Sequence, residues 1–135
     1  MNRCNMKFDE LRELLLYHKI VNWDKNLITL DNGVDIYIEE TERDCCACAY
    51  GEFTDVVLDA AITNVSDIKY EPWEDGDTYG CSASVTIMHN QNLICKAIAN
   101  ADAGNGGYYY SIASFIVKIP TQAAKTCEFV GSGDQ

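Results

Sequence analysis

The sequence predicts an α+β fold, in which one N-terminal helix packs on a mainly antiparallel sheet of about five to six strands. One stretch near the N-terminus has helical periodicity, several later stretches alternate apolar and polar residues, and short turn sequences join those stretches. Because no helix-length segments alternate with the strands, parallel crossover connections are not expected. The chain has 135 residues, the length of one domain, which we place at residues 1–120 with a partly flexible tail at 121–135.

The predicted helix spans residues 8–20. Phe8, Leu11 and Leu15 follow a spacing of three and then four residues, which places them on one helix face. The acidic residues at positions 9 and 10 suit the N-terminus of a helix, and Asn5 is the expected N-cap. We expect this helix to cover one face of the sheet.

A β-hairpin is predicted directly after the helix. Two apolar runs, at residues 26–30 and 34–39, flank the sequence Asp31-Asn32-Gly33. An Asn-Gly pair between two apolar runs is a strong short-range signal for a hairpin. In the second run three aliphatic residues alternate with polar ones, so one face is expected to carry Val34, Ile36 and Ile38.

The middle of the chain has weaker patterns. Residues 41–53 are dense in small residues and cysteine and are predicted to form a loop or an irregular strand. Residues 56–65 suit either a strand or a short helix, and we expect a strand at residues 60–70. Residues 71–80 contain Pro, Gly and four acidic residues and are therefore predicted to form a loop.

Three further strands are predicted at residues 82–88, 93–100 and 108–119. The last is long and almost uncharged, which is typical of a central strand covered on at least one face. From Thr121 onward the chain is expected to fray. A second copy of the chain would cover an exposed strand edge, so a homodimer is one expected arrangement.

The negative charge is concentrated in the middle of the chain. The net charge is −11, and residues 31–77 hold fourteen acidic and two basic residues, whereas the rest holds seven acidic and eight basic ones. Binding to a phosphate backbone or an anionic membrane takes an excess of Lys and Arg, so neither nucleic acid nor a membrane is expected as a direct partner. The acidic segment is either a solvated face or an anionic surface for a basic partner protein.

The location of the protein is also predicted from the sequence. Charged residues interrupt the apolar N-terminal stretch, and no window reaches the roughly 18 apolar residues of a membrane span. We therefore expect a cytoplasmic protein. Its seven cysteines, an odd number, are then expected to be reduced thiols.

A cysteine-rich stretch raises the question of a metal site. Cys45 and Cys48 have the Cys-x-x-Cys spacing that lets two thiolates reach one zinc ion. Two more ligands would be needed, and the candidates are Cys81, Cys95 and His89. A redox role would need a lowered thiol pKa, which the neighbouring acidic residues oppose. We favour cysteines that serve as small buried apolar residues, and we expect no metal and no cofactor.

Catalytic signals are weak. Only His18 and His89 offer a base that titrates near neutral pH, and the periodicity places His18 on the packed face of the helix. The sequence contains no nucleophile elbow, phosphate-binding loop or zinc-protease helix. The expected function is therefore non-enzymatic.

Aromatic residues among acidic ones indicate an interaction surface. The first candidate surface lies in the acidic segment and comprises Glu71, Trp73, Glu74, Asp75, Asp77 and Tyr79. The second follows a glycine-rich turn and comprises Tyr108, Tyr109 and Tyr110. Because successive side chains of a strand point to opposite faces, at least one of these three rings is expected to be exposed.

Two short elements carry a resemblance to a known family. They are the Asp-Cys-Cys element at residues 44–46 and the glycine-tyrosine element at residues 105–111. With these elements the chain resembles a family of small uncharacterised phage proteins that share Asp-Cys-Cys and Asn-Gly-Tyr-Tyr-Ser elements. The resemblance covers about residues 27–117 and implies a phage or prophage setting.

The phage setting suggests a function. Small acidic phage proteins without catalytic motifs include inhibitors of host machinery, such as anti-CRISPR and anti-restriction proteins. We therefore expect an inhibitor that imitates nucleic acid and occupies the basic groove of a host nucleic-acid-processing or defence protein. One alternative is a protein that sequesters a nucleotide signal in a pocket lined by Tyr108–Tyr110 with Asn90 or Asn92. Another is a zinc-stabilised structural domain.

Overall fold

The alternation of apolar and polar residues builds a second sheet that the sequence prediction did not anticipate. A computed structural model describes residues 4–133. Strands β8 and β9 form its longest hairpin, and their small apolar side chains all point to one side. The sheet has the order β5-β9-β8-β6, with β7 also paired to β8. Its members are β5 (Ala49–Thr54), β6 (Asn64–Val65), β7 (Lys69–Asp75), β8 (Thr78–His89) and β9 (Asn92–Asp102).

The other sheet contains six strands in the order β1-β11-β10-β4-β3-β2. All of its neighbours are antiparallel except β1 and β11, which run parallel. Its members are β1 (Cys4–Asn5), β2 (Ile20–Asp24), β3 (Leu27–Leu30), β4 (Asp35–Arg43), β10 (Ser111–Lys118) and β11 (Lys125–Gly131). Strand β10 lies between β4 and β11 and is buried from Ser111 to Val117, which confirms the predicted central strand.

The apolar faces of the two sheets share one core. The six-stranded sheet contributes larger side chains, and the rings of Phe115 and Phe129 stack at 4.3 Å between centroids. The five-stranded sheet contributes many small side chains, among them five buried alanines, of which Ala97 and Ala101 are almost fully buried. Small residues on one side and large ones on the other let the two layers fill the space between them.

The helix, α1 (Phe8–Leu15), is shorter than predicted. It buries Leu11 and Leu15 as expected, but the predicted end at Ile20 and the predicted N-cap at Asn5 are both wrong, because the N-cap is Lys7. The helix ends where Tyr17 adopts a left-handed φ of 70°. Ile20 instead begins β2, since its branched side chain suits a strand.

The predicted α+β fold class is wrong, because the described chain is mostly β with one short α-helix. A helix of 8 residues buries too little apolar surface to cover a six-stranded sheet. The second sheet covers it instead. The prediction failed because it treated polar and cysteine-rich stretches of this second sheet as loops.

Residues 71–80, predicted as a loop, form most of the hairpin between β7 and β8. Strand β7 lies at an edge of the sheet, so the missing N–H group of Pro72 breaks no hydrogen bond to a further strand. Charged residues are also tolerated there, because one side of the strand faces solvent. The turn contains only Gly76 and Asp77, and Gly76 has a φ of +58°. Residues 41–53, predicted to form a loop or an irregular strand, contain a loop only at residues 44–48, because β4 continues to Arg43 and β5 begins at Ala49.

The C-terminal boundary was also wrong. The predicted tail from Thr121 contains β11, in which Phe129 and Val130 are fully buried. Residues 134–135 of that tail lie outside the described residues. The strand expected at residues 60–70 is reduced to β6 and the start of β7.

The predicted hairpin at residues 26–39 is confirmed. Strands β3 and β4 pair antiparallel around the Asn-Gly turn, and Val34, Ile36 and Ile38 are buried. Among residues 4–133 no helix has the length and apolar character needed to cross a membrane.

Candidate functional site

The strand register brings three connecting segments to one end of the molecule. The last residue of β4 pairs with the first of β10, and the N-terminal parts of β5 and β8 both pair with the C-terminal part of β9. The connections that follow or precede these positions must therefore meet. We call this region the motif end and define it as residues 44–48, 74–79 and 103–110.

The Asp-Cys-Cys and glycine-tyrosine elements are in direct contact there. The Asp44 N–H donates to the Tyr110 carbonyl oxygen at 2.8 Å. In return the Tyr110 N–H donates to the Asp44 carboxylate at 2.9 Å. Two elements that lie more than sixty residues apart in the sequence are therefore joined by reciprocal hydrogen bonds.

Two further side chains hold these loops in place. One carboxylate oxygen of Asp102 accepts hydrogen bonds from the backbone N–H groups of Cys48 and Gly104, each at 3.0 Å. The buried Ser111 hydroxyl lies within 3.0 Å of the Cys48 carbonyl oxygen and 2.8 Å of the Asp102 carbonyl oxygen. Asp102 and Ser111 therefore fix the loop positions through hydrogen bonds to backbone groups of both loops.

Gly104 permits the closest approach of the two loops. Its φ is +69°, and an added Cβ would lie 2.5 Å from the Cys46 carbonyl oxygen and 2.9 Å from Cδ2 of Tyr109. A side chain at this position would therefore separate the two loops.

The motif end carries exposed thiols. The Sγ atoms of Cys45 and Cys46 lie 3.4 Å apart, and Cys48 is exposed nearby in the chain. The hydrogen-bonded Cys46 neighbour raises the pKa of the Cys45 thiol above its ordinary value, and it raises the pKa of the Tyr109 hydroxyl in the same way. A raised pKa means little thiolate at neutral pH, so Cys45 is not an activated nucleophile.

The zinc ligand set considered from the sequence is not assembled. Cys81 and Cys95 are both buried on the apolar face of the five-stranded sheet, but Cys81 pairs with Ala101 near the motif end and Cys95 pairs with Ile87 near the other end of β8. The His89 Nδ1 lies 2.7 Å from the Ala61 carbonyl oxygen. Within the described range 4–133, no three or more His, Cys, Asp and Glu side chains lie where they could hold a metal ion.

The expectation of buried cysteines therefore fits only part of the set. Cys81, Cys95 and Cys127 are buried. Burial raises the pKa of Cys95 to about 12 and that of Cys127 to about 11. Cys45, Cys46 and Cys48 are exposed instead, because they lie in a loop at the motif end.

The hairpin tip of β7 and β8 joins the glycine-tyrosine element. The Ala103 N–H donates to the Tyr79 carbonyl oxygen at 2.9 Å. An added Cβ on Gly107 would lie 2.9 Å from the Tyr79 ring. The two predicted interaction surfaces are therefore neighbours, with Asp77 and Tyr79 beside Gly107.

Two residues of the first predicted surface, Glu71 and Trp73, lie away from the motif end. The indole N–H of Trp73 donates to the Asn100 side-chain oxygen at 2.8 Å, and the ring packs closely on Gly80. Glu71 lies 3.5 Å from the Lys69 ammonium group. Trp73 is half-buried, and both Trp73 and Glu71 lie on the outer face of the five-stranded sheet.

That outer face contains a groove of about 340 Å³. Its floor is low because β8 presents the small residues Ser82 and Ser84, while longer side chains rise from the flanking strands. The walls include Tyr50, Glu52, Lys69, Glu71 and Lys96. The alternation of Ser and Ala in β8 was a signal for this groove in the sequence.

The long acidic segment does not form one surface. Its residues at positions 44, 74, 75 and 77 lie at the motif end. Others lie at the opposite end with partners of their own: Asp31 is 2.8 Å from His18, Asp35 accepts a hydrogen bond from Thr29, and Asp67 pairs with Arg12. The −12 charge of the segment is therefore distributed over several parts of the molecule.

Comparison with protein-family models gives one match, a domain of unknown function (DUF7448), over residues 13–116. The chain belongs to this family. The match contains both the Asp-Cys-Cys and the glycine-tyrosine elements, and it begins inside α1, earlier than residue 27 where the resemblance was placed. Comparisons with curated proteins and with solved structures give no match.

In this member of DUF7448 the predicted small-ligand pocket is not formed. Asn90 lies in the turn between β8 and β9, and Asn92 begins β9, so both are at the end of the sheet opposite Tyr108–Tyr110.

The sequence gave no reason to select Asp102 or Ser111 as residues of the site. An Asp at a strand end and a Ser before an apolar run are common, and only their long-range contacts reveal their role.

Proposed function

We propose that this DUF7448 domain is a non-enzymatic binding protein whose motif end contacts a basic surface of a partner protein. The observation that carries the proposal is the gathering of exposed acidic and tyrosine side chains on loops that are held by Asp44, Asp102 and Ser111. A surface that is exposed and also fixed loses little conformational entropy when it binds.

The charge of the motif end favours a cationic partner. Its three segments contain no Lys or Arg. Glu74, Asp75 and Asp77 are exposed at the hairpin tip, and the carboxylates of Asp44 and Asp102 accept backbone hydrogen bonds in the other loops. Charges of one sign on a surface steer an oppositely charged partner and exclude partners of like charge.

The aromatic side chains supply contact area. The exposed fraction is 87% for Tyr108, 42% for Tyr79 and 39% for Tyr110. Tyrosine is enriched among the residues that dominate binding energy, because it buries a large ring and also offers a hydroxyl group.

The partner class follows from these features. A partner with a basic groove for nucleic acid offers the cationic surface that the motif end fits, and the acidic groups would take the place of phosphates there. We therefore propose an inhibitor of a host nucleic-acid-processing or defence protein, acting as a nucleic-acid mimic in the bacterial cytoplasm. A phage origin and an anti-CRISPR-like role are part of this proposal.

An NMR titration with a short Arg- and Lys-rich peptide tests the binding surface. We expect the largest amide shift changes at the hairpin tip and the glycine-tyrosine element, and we expect them to disappear in high salt. The variant Glu74→Lys, Asp75→Lys, Asp77→Lys should lose them. The matched control, Glu10→Lys, Glu13→Lys, Asp24→Lys, has the same change in net charge and should keep them.

Two results would contradict this proposal. One is a pattern of shift changes that spreads over all acidic residues in proportion to their exposure. The other is equal loss of binding in the two charge-reversed variants, since net charge alone would then explain the interaction.

A second candidate function is supported by the groove on the five-stranded sheet. Its volume of about 340 Å³ lies at the lower end of the range for small-molecule sites. Its hydroxyl, carboxylate and ammonium groups suit a small polar ligand. A thermal-shift screen of polar metabolites would detect ligand binding in the groove. The variant Ser84→Leu, which fills the floor of the groove and leaves the motif end unchanged, should abolish that binding.

A further inference from the structure

The two adjacent thiols at the motif end have no role in the proposed binding surface. The side chains of Cys45 and Cys46 are exposed, their Sγ atoms lie 3.4 Å apart, and the peptide bond between them is trans. Two cysteines whose Cα atoms lie more than about 7 Å apart cannot be bridged without movement of the backbone, and this pair is well within that limit. We propose that Cys45 and Cys46 form a reversible dithiol–disulfide site.

The reaction needs a low-molecular-weight disulfide such as oxidised glutathione. The thiolate of one cysteine attacks a sulfur of glutathione disulfide, which releases one glutathione and leaves a mixed disulfide on the protein. The second cysteine loses its proton and attacks the protein sulfur, which releases the second glutathione. The two protein thiols thus lose two electrons and two protons, and these convert one glutathione disulfide into two glutathione thiols.

The geometry makes the product easy to reduce again. Consecutive Cα atoms across a trans peptide are about 3.8 Å apart. Ordinary disulfides join Cα atoms separated by at least about 4.4 Å. A bond between Cys45 and Cys46 is therefore strained, and strained, exposed disulfides are the labile ones.

Cys48 is a less suitable partner for either thiol. Its N–H is bound by Asp102 and its carbonyl oxygen lies beside the Ser111 hydroxyl, so its backbone is fixed on both sides. Ala47, which separates it from Cys46, is buried. A bond from Cys46 to Cys48 would have to displace that buried residue.

Oxidation of Cys45 and Cys46 would change the position of the glycine-tyrosine element. The Cys46 carbonyl is in close contact with Gly104, and Cys46 raises the pKa of the Tyr109 hydroxyl. A change in the Cys45–Cys46 backbone would therefore move this element. The thiol chemistry is independent of the proposed function, whereas any effect of oxidation on partner binding rests on it.

The groups around Cys45 and Cys46 determine how fast the two thiols are oxidised. Cys46 and Asp44 raise the pKa of the Cys45 thiol, and the Arg43 guanidinium lowers it, with a net increase. The thiolate fraction at neutral pH is small as a result. Oxidation should therefore accelerate as the pH rises towards the thiol pKa.

The test is equilibration of the full-length chain with mixtures of reduced and oxidised glutathione. Free thiols are then blocked with iodoacetamide, and the peptides are identified by mass spectrometry. We expect the peptide that contains Cys45 and Cys46 to appear about 2 Da lighter than its reduced form, with neither residue alkylated. A reducing glutathione mixture should restore both thiols.

Serine variants separate the pair from the third thiol. Cys46→Ser should leave a stable glutathione adduct on Cys45, since the resolving thiol is absent. Cys48→Ser should form the Cys45–Cys46 disulfide as the wild-type chain does. Circular dichroism confirms that each variant is folded.

The proposal is overturned if wild-type Cys45 and Cys46 accumulate only glutathione adducts, or if the disulfide that forms includes Cys48. A disulfide that leaves the amide signals of Gly104 and Tyr109 unchanged would refute the coupling to the glycine-tyrosine element. Failure of peptide binding at the motif end would refute the proposed function but not the disulfide.

Discussion

The two ends of the molecule use their contacts in different ways. At the end opposite the motif end, which we call the helix end and define as residues 16–19, 31–34, 55–63 and 90–91, the connecting segments close over the core. Leu15, Ile20 and Ile62 are buried there. At the motif end, hydrogen bonds from Asp44, Asp102 and Ser111 hold loops whose aromatic rings remain in solvent.

The two histidines show the same contrast. Both lie at or beside the helix end, where His18 binds Asp31 and His89 binds the Ala61 carbonyl oxygen. Their ring nitrogens therefore stabilise the fold, and the motif end has no histidine. The contacts of the helix end cover the core, whereas those of the motif end stabilise the loops and also fix exposed groups in place.

The largest expected difference is in thiol reactivity. In the folded protein at pH 8, Cys48 should react with iodoacetamide at least about a thousandfold faster than Cys95. Cys95 is buried and its pKa is raised to about 12, so almost none of it is thiolate. Mass spectrometry of timed reactions measures both rates.

Urea unfolding provides the control, because it should bring the two rates within about tenfold of each other. Rapid labelling of Cys95 in the folded state would contradict the burial that the structure assigns to it.

The next largest effect is expected at the closest contact between the two loops. Gly104→Ala should lower the free energy of unfolding by about 3 kcal/mol, because the backbone is left-handed there and the new Cβ meets the Cys46 carbonyl oxygen. The matched change Gly76→Ala also has a positive φ but meets no atom within 4 Å, so its cost should be about 1 kcal/mol. Urea denaturation measures both values.

Equal effects of the two substitutions would show that residues 103–110 are free to separate from residues 44–48. The motif end would then lack the fixed geometry on which its difference from the helix end depends.

Removal of the Asp102 carboxylate is expected to have a smaller effect. Asp102→Ala leaves the N–H groups of Cys48 and Gly104 without this acceptor and should cost about 2 kcal/mol. Asp75→Ala, an exposed change at the hairpin tip, should cost less than about 0.5 kcal/mol. Hydrogen exchange at the Cys48 and Gly104 amides should accelerate only in the Asp102 variant. Unchanged exchange would show that the Asp102 carboxylate does not hold these two loops.

The smallest effect is expected at the helix end, where it depends on pH. The hydrogen bond from His18 lowers the pKa of Asp31 below its ordinary value of 3.8. A carboxyl group whose pKa is lower in the folded than in the unfolded state stabilises the fold at pH values above its unfolded-state pKa. This contribution is lost as the pH falls through the folded-state pKa. Asp31→Asn should therefore be less stable than wild type at pH 6 and equally stable at the acid limit.

Urea denaturation at pH 6 and pH 3 measures this difference, with Asp77→Asn as the control. A stability loss in Asp31→Asn that does not shrink at low pH would show that the Asp31 charge is not its cause.

Local patterns in the sequence predicted part of this fold. The Asn-Gly hairpin, the β8–β9 pair and the uncharged central strand all have strong local signals, and all are confirmed. Strand β7 was missed because Pro72 and its acidic neighbours are typical of loops and become compatible with a strand only at a sheet edge. Strand β11 was missed because the glycines that follow it obscured the alternation of Cys127 and Phe129.

The candidate site was predictable only in pieces. The Asp-Cys-Cys element, the acidic hairpin and the three tyrosines were each visible in the sequence, but their meeting depends on the pairing of Arg43 with Ser111 and of Gly80 with Asp102. Such long-range register cannot be read from local patterns. For the same reason Trp73, which looked like an exposed anchor, was not expected to bind Asn100 across the sheet.

The most direct test of the account is capture of partners from a bacterial lysate. The tagged wild-type chain, the Glu74→Lys, Asp75→Lys, Asp77→Lys variant and the Glu10→Lys, Glu13→Lys, Asp24→Lys control would be compared at low and high salt. The account predicts a nucleic-acid-binding protein that the wild type and the control retain, and that the hairpin variant and high salt release. Retention of the same partner by the hairpin variant would contradict the assignment of binding to the motif end.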